Sequence, residues 1–272
     1  MRPHPVIPAT TVAFALAFIV GCGQDPKQTI TLAGSTSVQP FAERLAEEYM
    51  ARHPGVEINV QGGGSSAGIR AVGSGICQLG MSSRRLTPEE GGLYSVTMAH
   101  DGIVLVVNRA NPMRDLTIEQ ARVIFSGGIR YWDEVGGPHL RITAITREEG
   151  SGTRASFEEK VMRPDGIEAQ PITADALVQD SNGSVREIVA TDPAAIGYIS
   201  LGLVDERVRA LNLDGVVPEH ATIRSGRYPL SREFLLLSCH PPEGLAKSFV
   251  DYALSPEGQR LLAEEGLTTT EP

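Results

Sequence analysis

Three short runs of this chain are built from Gly, Ser and Thr: Gly34–Ser37, Gly62–Ser66 and Gly150–Thr153. Each follows a stretch that reads as a strand and precedes one that reads as a helix. The first turn of a helix leaves backbone N–H groups unpaired and carries partial positive charge. Ser and Thr add hydroxyl donors, and Gly lets a backbone come close. Together these features suit an anion. One such loop is explained by helix capping alone. Three in one chain favour a shared oxyanion. Arg147 stands four residues before Ser151. A guanidinium at a strand end beside a helix N-terminus can hold an oxyanion through two parallel N–H donors. A surface salt bridge to Glu148 or Glu149 is the plainer reading of the same residue.

A second chemistry competes for the same loops. Gly64-Ser65-Ser66-Ala67-Gly68 fits G-x-S-x-G between a strand and a helix, the setting of a hydrolase nucleophile elbow. Asp180 and His240 follow as candidate acid and base. The pattern is loose in a Gly/Ser-rich stretch, and residue order alone defines no triad. The remaining His residues show no partner spacing. No metal-ligand spacing is present, and no cofactor is implied.

The elements that must carry these loops alternate. Thr29–Ala33 reads as a strand, and Phe41, Leu45 and Tyr49 recur at helical spacing until His53-Pro54-Gly55. Val56–Gln61 is a second strand, and Ile69 and Val72 mark a short helix. Leu79–Ser83 reads as a short strand into a polar turn. Ile103–Val107 is apolar throughout, as a strand buried on both faces would be. Thr117 and Gln120 fit a capping box for a helix over Ile118–Phe125. Ile142–Ile145 is a strand, followed by a helix bearing Phe157 and Val161. Ser184–Ala190 reads as helix, Ala195–Ile199 and Phe234–Leu237 as strands, and Gly244–Leu254 as helix. Ser255-Pro256 caps and starts a last helix. This alternation specifies an α/β fold.

A chain of 272 residues is long enough for one large or two modest domains. A net charge of −9 argues against nucleic acid, which calls for a basic face. It does not argue against an anion, whose affinity is set by the few groups at its site. Val12–Val20 is apolar but too short to span a bilayer, and Gly21-Cys22 follows it. Residues 1–21 therefore read as a lipoprotein signal peptide. Ile19-Val20-Gly21-Cys22 resembles a bacterial lipobox, with Cys22 as the lipidated residue and 22–28 as a linker. Cys77 and Cys239 read as buried free thiols, although export makes a disulfide chemically permissible.

Longer segments resemble one family. Phe125-Ser126-Gly127-Gly128-Ile129-Arg130-Tyr131-Trp132-Asp133-Glu134-Val135-Gly136-Gly137 and Thr146-Arg147-Glu148-Glu149-Gly150-Ser151-Gly152-Thr153 closely resemble the substrate-binding proteins of phosphate transporters, the PstS family. Asp180-Ser181-Asn182-Gly183, Ala195-Ile196-Gly197-Tyr198 and Tyr228-Pro229-Leu230-Ser231-Arg232 fit the same pattern in the same order. The resemblance spans the chain after the leader. It implies a two-lobed periplasmic-binding-protein fold of type II, with two α/β lobes joined by a two-segment hinge. Residues 29–108 and 223–272 would form lobe one and 109–222 lobe two, with crossings near Asn108–Asn111 and Ile223–Ser225.

The function that the resemblance implies is extracytoplasmic capture of inorganic phosphate and its delivery to the membrane permease of an ABC importer. The protein would be a monomer held to a bacterial membrane by the lipid on Cys22, facing the periplasm or the cell exterior. It would not be an enzyme. Other tetrahedral oxyanions, sulfate or molybdate, and a secreted hydrolase using Ser66 are the alternatives. Carried over position by position, the phosphate contacts fall on Thr36, Ser37, Ser65, Arg147, Ser151, Gly152 and Thr153, with Ser35 beside them. One departure matters. Some members carry an Asp, acceptor of the phosphate proton, where this chain has Ser83 followed by Arg84. Asp101 stands just before the apolar strand, where those members have Gly. Asp101 is therefore expected to accept the proton, with Ser83 and Arg84 as neighbouring donors or orienters.

Overall fold

The computed structural model describes residues 27–270. The leader read over 1–21 and the lipidation point Cys22 lie outside them. The chain opens with β1 (Gln28–Gly34), α1 (Gln39–Arg52), β2 (Val56–Gly62), α2 (Ser65–Gly73) and β3 (Leu79–Ser82). The helical stripe read in the sequence is the buried face of α1: Phe41, Leu45 and Tyr49 are all buried. β4 (Tyr94–Asn108) follows, then β5 (Asp115–Leu116), α3 (Ile118–Ser126) and β6 (Thr143–Arg147). The capping box of Thr117 and Gln120 is formed at α3. Next come α4 (Gly152–Phe157), β7 (Leu177–Gln179), α5 (Asn182–Thr191), β8 (Ala195–Ser200), β9 (Val208–Ala210), β10 (Asn212–Leu213) and α6 (His220–Arg224). β11 (Ser231–Ser238), α7 (Gly244–Leu254) and α8 (Pro256–Glu264) complete the chain. Phe157 and Val161 do not share one regular helix, because α4 gives way to a π-helical turn over Glu158–Met162.

The main sheet runs β2-β1-β3-β11-β4-β8-β6-β7, with β9 also paired to β4. β1 is parallel to β2 and β3, and β6 is parallel to β7 and β8. β11 runs antiparallel to β3 and to β4, and β4 runs antiparallel to β8. β4 is the shared rail. Its first part, Tyr94–Gly102, pairs with β11, and Ile103–Val107 pairs with β8. The strand is far longer than the apolar run Ile103–Val107 that announced it: Tyr94–Thr97 is exposed to half-buried, and His100 and Asp101 interrupt the apolar stretch after it.

Two large cores flank this rail. One gathers Leu32, Phe41, Leu45, Met81, Phe234 and Phe249. The other gathers Ile103–Val107, Phe125, Trp132, Phe157, Tyr198 and Tyr228. Ile103–Val107, Ile223, Tyr228 and Leu230 all belong to the second core. On this core membership we propose the lobe boundaries at Gly102/Ile103 and Leu230/Ser231, rather than after Asn108 and before Ile223. Cys77 is buried and Cys239 half-buried, and both are free thiols.

Candidate functional site

Loops at the carboxyl ends of β1, β2, β3 and β6 converge between the two cores. In open α/β sheets such ends, where strand order reverses, form the natural ligand crevice. Neither α1 nor α2 has a side-chain cap; in α1 the backbone takes that place, with Gln39 N–H donating to the Ser35 carbonyl at 3.0 Å and Phe41 N–H to the Val38 carbonyl at 3.1 Å. Gly34 and Gly64 carry positive φ, and both hold tight corners. A Cβ at Gly34 would stand 2.2 Å from the Met81 carbonyl. Ser66 N–H donates to the Gly150 carbonyl at 3.1 Å, so the second and third loops touch directly.

The hydroxyls form two groups. In the first, Ser35 Oγ donates to Ser83 Oγ at 2.8 Å, and Ser65 Oγ accepts from the Ser83 N–H at 3.0 Å. In the second, Ser37 Oγ and Thr153 Oγ1 lie 2.7 Å apart. Gly152 separates the groups. A Cβ there would meet Ser65 Oγ at 2.3 Å and Ser83 Oγ at 2.5 Å, so only glycine fits. Ser151 caps α4 by accepting from the Arg154 N–H at 3.3 Å. Ser35, Ser37, Ser65, Ser83, Ser151 and Thr153 are all buried, and a buried hydroxyl that serves no core needs a partner.

Arg147, at the end of β6, is 1% exposed. Its Nη2 donates to Thr36 Oγ1, to the Asp180 carbonyl and to Glu148 Oε1, each at 3.0 Å. Its Nε donates to Glu148 Oε2 at 2.9 Å and to the Gln179 carbonyl at 3.2 Å. Nη1 is buried with no partner at all. An orphaned guanidinium nitrogen in a closed, hydroxyl-lined site points to an anion. Tyr198 steadies this strand end: its hydroxyl lies 2.6 Å from Thr146 Oγ1 and accepts the Arg147 N–H at 3.3 Å. Burial pushes that phenol up to about 12, so it stays protonated.

Residues from both halves of the chain thus meet around one buried guanidinium. A family model, the PBP superfamily domain, matches residues 22–257. The phosphate-binding protein PstS of Bacillus subtilis is 34% identical over 242 residues, covering 87% of this chain and 79% of that protein. The chain belongs to the PstS family. PstS of Borreliella burgdorferi is 28% identical over 89% of this chain and 90% of its own. Among solved structures, a Clostridium perfringens protein assigned as a phosphate ABC transporter substrate-binding protein, with bound phosphate, is 38% identical. It superposes with a TM-score of 0.85, covering 90% of this chain and all of its own. An ABC-type phosphate transport receptor from Vibrio cholerae is also 38% identical, with a TM-score of 0.73 over 88% of this chain and 99% of that one.

Of the residues singled out in the sequence, Thr36, Ser37, Ser65, Arg147, Ser151, Gly152, Thr153, Ser35 and Ser83 come together at these converging loops. Arg84 does not. Its guanidinium is clamped by Glu90, both contacts at 2.7 Å, and its Nη2 also reaches Ser66 Oγ at 3.0 Å. The hydrolase alternative therefore loses its geometry: Ser66 meets a cation rather than a base. Ser66 lies within α2, and Asp214 is the only non-glycine residue with positive φ among the described residues, so no strained elbow forms there. Asp180 accepts from Ser184, His240 offers its carbonyl to Ser238, and neither is bonded to Ser66, whose hydroxyl accepts from Arg84.

Asp101 is buried where the two halves of β4 meet, but its carboxylate is occupied. Oδ1 accepts from Ser200 Oγ at 2.7 Å, and Oδ2 accepts from Arg232 Nε at 2.9 Å and Nη2 at 2.7 Å. Burial pushes this carboxyl up, against the pull of Arg232 and Ser200. Sequence reasoning assigned no role to Arg232, Asn182, Ser156 or Ser200. Asn182 Nδ2 donates to Ser37 Oγ at 2.8 Å, and Ser156 Oγ donates to the Ser83 carbonyl at 3.3 Å. The signal available for Arg232 was a cation heading the apolar strand Phe234–Leu237, the counterpart of the carboxylate that drew notice to Asp101.

Proposed function

We propose that this chain binds inorganic phosphate outside the cytoplasm and delivers it to an ABC-type importer. The observation that carries the reading is Arg147 Nη1, buried and unpartnered beside the hydroxyls of two converging loops. A tetrahedral oxyanion offers acceptors in several directions, which suits convergent Ser, Thr, backbone and guanidinium donors. The PstS relatives are named as phosphate-binding proteins, and the Clostridium perfringens neighbour holds phosphate. Contacts such as Thr36–Arg147 and Ser37–Thr153 tie the first loop to the β6–α4 unit, whose Ile145 and Phe157 belong to the second core, so lobe closure would shut the ligand away from water.

The test is a calorimetric titration of the chain lacking residues 1–21 with phosphate, sulfate and arsenate. Phosphate and its isostere arsenate should bind. Phosphate at one hundred times its Kd should stabilise the fold by roughly 2.7 kcal/mol. Binding of sulfate alone would replace phosphate with another oxyanion, and binding of none would end the reading.

We infer further that Cys22 anchors the protein by a lipid. No described helix is long and apolar enough to cross a membrane. The Cys22→Ser variant should leave the membrane fraction, or remain unprocessed, with phosphate affinity intact. Fractionation of cells making each form is the measurement. A processed Ser variant that stays on the membrane would remove the anchor assignment.

A further inference from the structure

The deepest ion pair among the described residues joins Arg232 and Asp101, whose side chains are 3% and 0% exposed. They are direct cross-strand partners in the pairing of β11 with β4. Burying such a pair costs more than its attraction returns unless further hydrogen bonds satisfy both groups. Here they do. A carboxylate has about four lone-pair sites. Three of those of Asp101 are taken, by Ser200 Oγ and by Nε and Nη2 of Arg232. Protein donors hold both carboxylate oxygens, and Asp101 makes no bond to the hydroxyls of the converging loops.

Arg232 is not consumed in the same way. Its Nη1 turns from Asp101 to Thr153 Oγ1 at 2.9 Å, inside the hydroxyl group that Ser37 shares, with only a long 3.5 Å contact to the Ser83 carbonyl besides. Arg147 reaches the same loops from the other side, through Thr36. The two guanidiniums sense each other. Burial pushes Arg232 down from its ordinary range, Asp101 opposes that shift, and the charge of Arg147 adds to it. Two buried cations, one bonded to Thr36 and the other to Thr153, with Arg147 Nη1 unpartnered, make a field that an anion beside these hydroxyls would relieve.

We infer that Arg232 is a second guanidinium ligand of the bound anion and that Asp101 is its positioning residue, so that a proton on the anion meets a hydroxyl instead of a carboxylate. The inference rests on the phosphate reading and deepens it. The hydroxyl in question is supplied by Ser37 and Thr153. Ser37 Oγ accepts from Asn182 at 2.8 Å, and Thr153 Oγ1 accepts from Arg232 at 2.9 Å. A hydroxyl has one hydrogen and two lone pairs. Whichever of the two donates across their 2.7 Å contact, one hydrogen and one lone pair of the couple remain free. The couple can donate to a bare oxygen or accept from a protonated one by turning its hydrogens round. A buried carboxylate has no such freedom, and it repels a bare oxygen.

The probes are inorganic phosphate and monofluorophosphate, a tetrahedral dianion that carries no proton at neutral pH. Both are titrated calorimetrically into the wild-type protein and into Asp101→Asn and Arg232→Lys, with melting curves to confirm folding. In the wild type, monofluorophosphate should bind less than about 30-fold more weakly than phosphate. A carboxylate facing the anion would make the gap larger than that. Asp101→Asn should weaken both anions by the same factor and leave their ratio unchanged. Arg232→Lys should weaken phosphate at least about tenfold, because an ammonium cannot hold Asp101 and Thr153 through one planar fork. A larger wild-type gap, an altered ratio in Asp101→Asn, or wild-type phosphate affinity in Arg232→Lys would each overturn the inference. The wild-type comparison decides even if neither variant folds. A wild type that binds phosphate yet rejects monofluorophosphate sinks this inference alone, whereas one that binds neither sinks the phosphate reading with it.

Discussion

Replacing Arg147 with Ala should weaken phosphate binding by about 2–5 kcal/mol, which is roughly 30-fold to several thousand-fold in Kd. The side chain is 1% exposed and its donors reach five acceptors on four residues. Removing it withdraws the free Nη1 from the anion and the Nη2 bond to Thr36 that spans the two halves of the site. It also leaves the Gln179 and Asp180 carbonyls without this donor, and buried acceptors without donors cost free energy of their own. Arg147→Lys should recover only part of the loss. One ammonium carries charge, but it cannot address Glu148, Thr36 and an anion from one planar group. Titration of both variants with phosphate is the measurement. Wild-type affinity in Arg147→Ala would remove Arg147 from the site.

Arg147 was legible in the sequence because its neighbours are local. Arg147, Ser151, Gly152 and Thr153 lie in one strand–loop–helix unit, where residue type and spacing alone specify helix-terminal donors. The same holds for α1 and α3, whose apolar stripe and capping box are local signals. Arg232 was not legible in its role. Its partner Asp101 stands opposite it only because β11 returns antiparallel to β4 in one particular register. Nothing in either segment fixes that register, since strand pairing across a long intervening chain is set by the whole fold. The extent of β4 was hidden for a related reason. Tyr94–Thr97 is exposed to half-buried, so no apolar run announced the strand before Ile103. Asn182 shows a third kind of limit. At the start of α5 it resembles an ordinary cap residue, yet its amide bridges Ser37 and the Ser200 N–H across the site.

The Asp101–Arg232 pair also sets the largest stability effect expected of one substitution here. Arg232→Met keeps much of the side-chain volume but strands a buried carboxylate, a change that costs about 3–5 kcal/mol. The loss should depend on pH, with a sign that follows from linkage. In the folded wild type, burial already pushes Asp101 up while Arg232 pulls it down. Without Arg232 the opposing pull is gone, so the folded-state pKa rises further above its unfolded value. A carboxyl raised on folding binds more protons in the native state than in the unfolded one. Its stabilising contribution is complete below the unfolded value, near about pH 4, and is lost as pH rises through the folded value. Arg232→Met should therefore lie closer to wild type at about pH 5 than at about pH 7.5 in urea unfolding. Phosphate must be left out of the buffer, because ligand bound to the folded state would add its own stabilisation. Adding Asp101→Asn to Arg232→Met removes the stranded charge. The double variant should recover most of the loss and show no extra pH dependence. An Arg232→Met deficit that is the same at both pH values would mean that Asp101 does not depend on Arg232 for its charge.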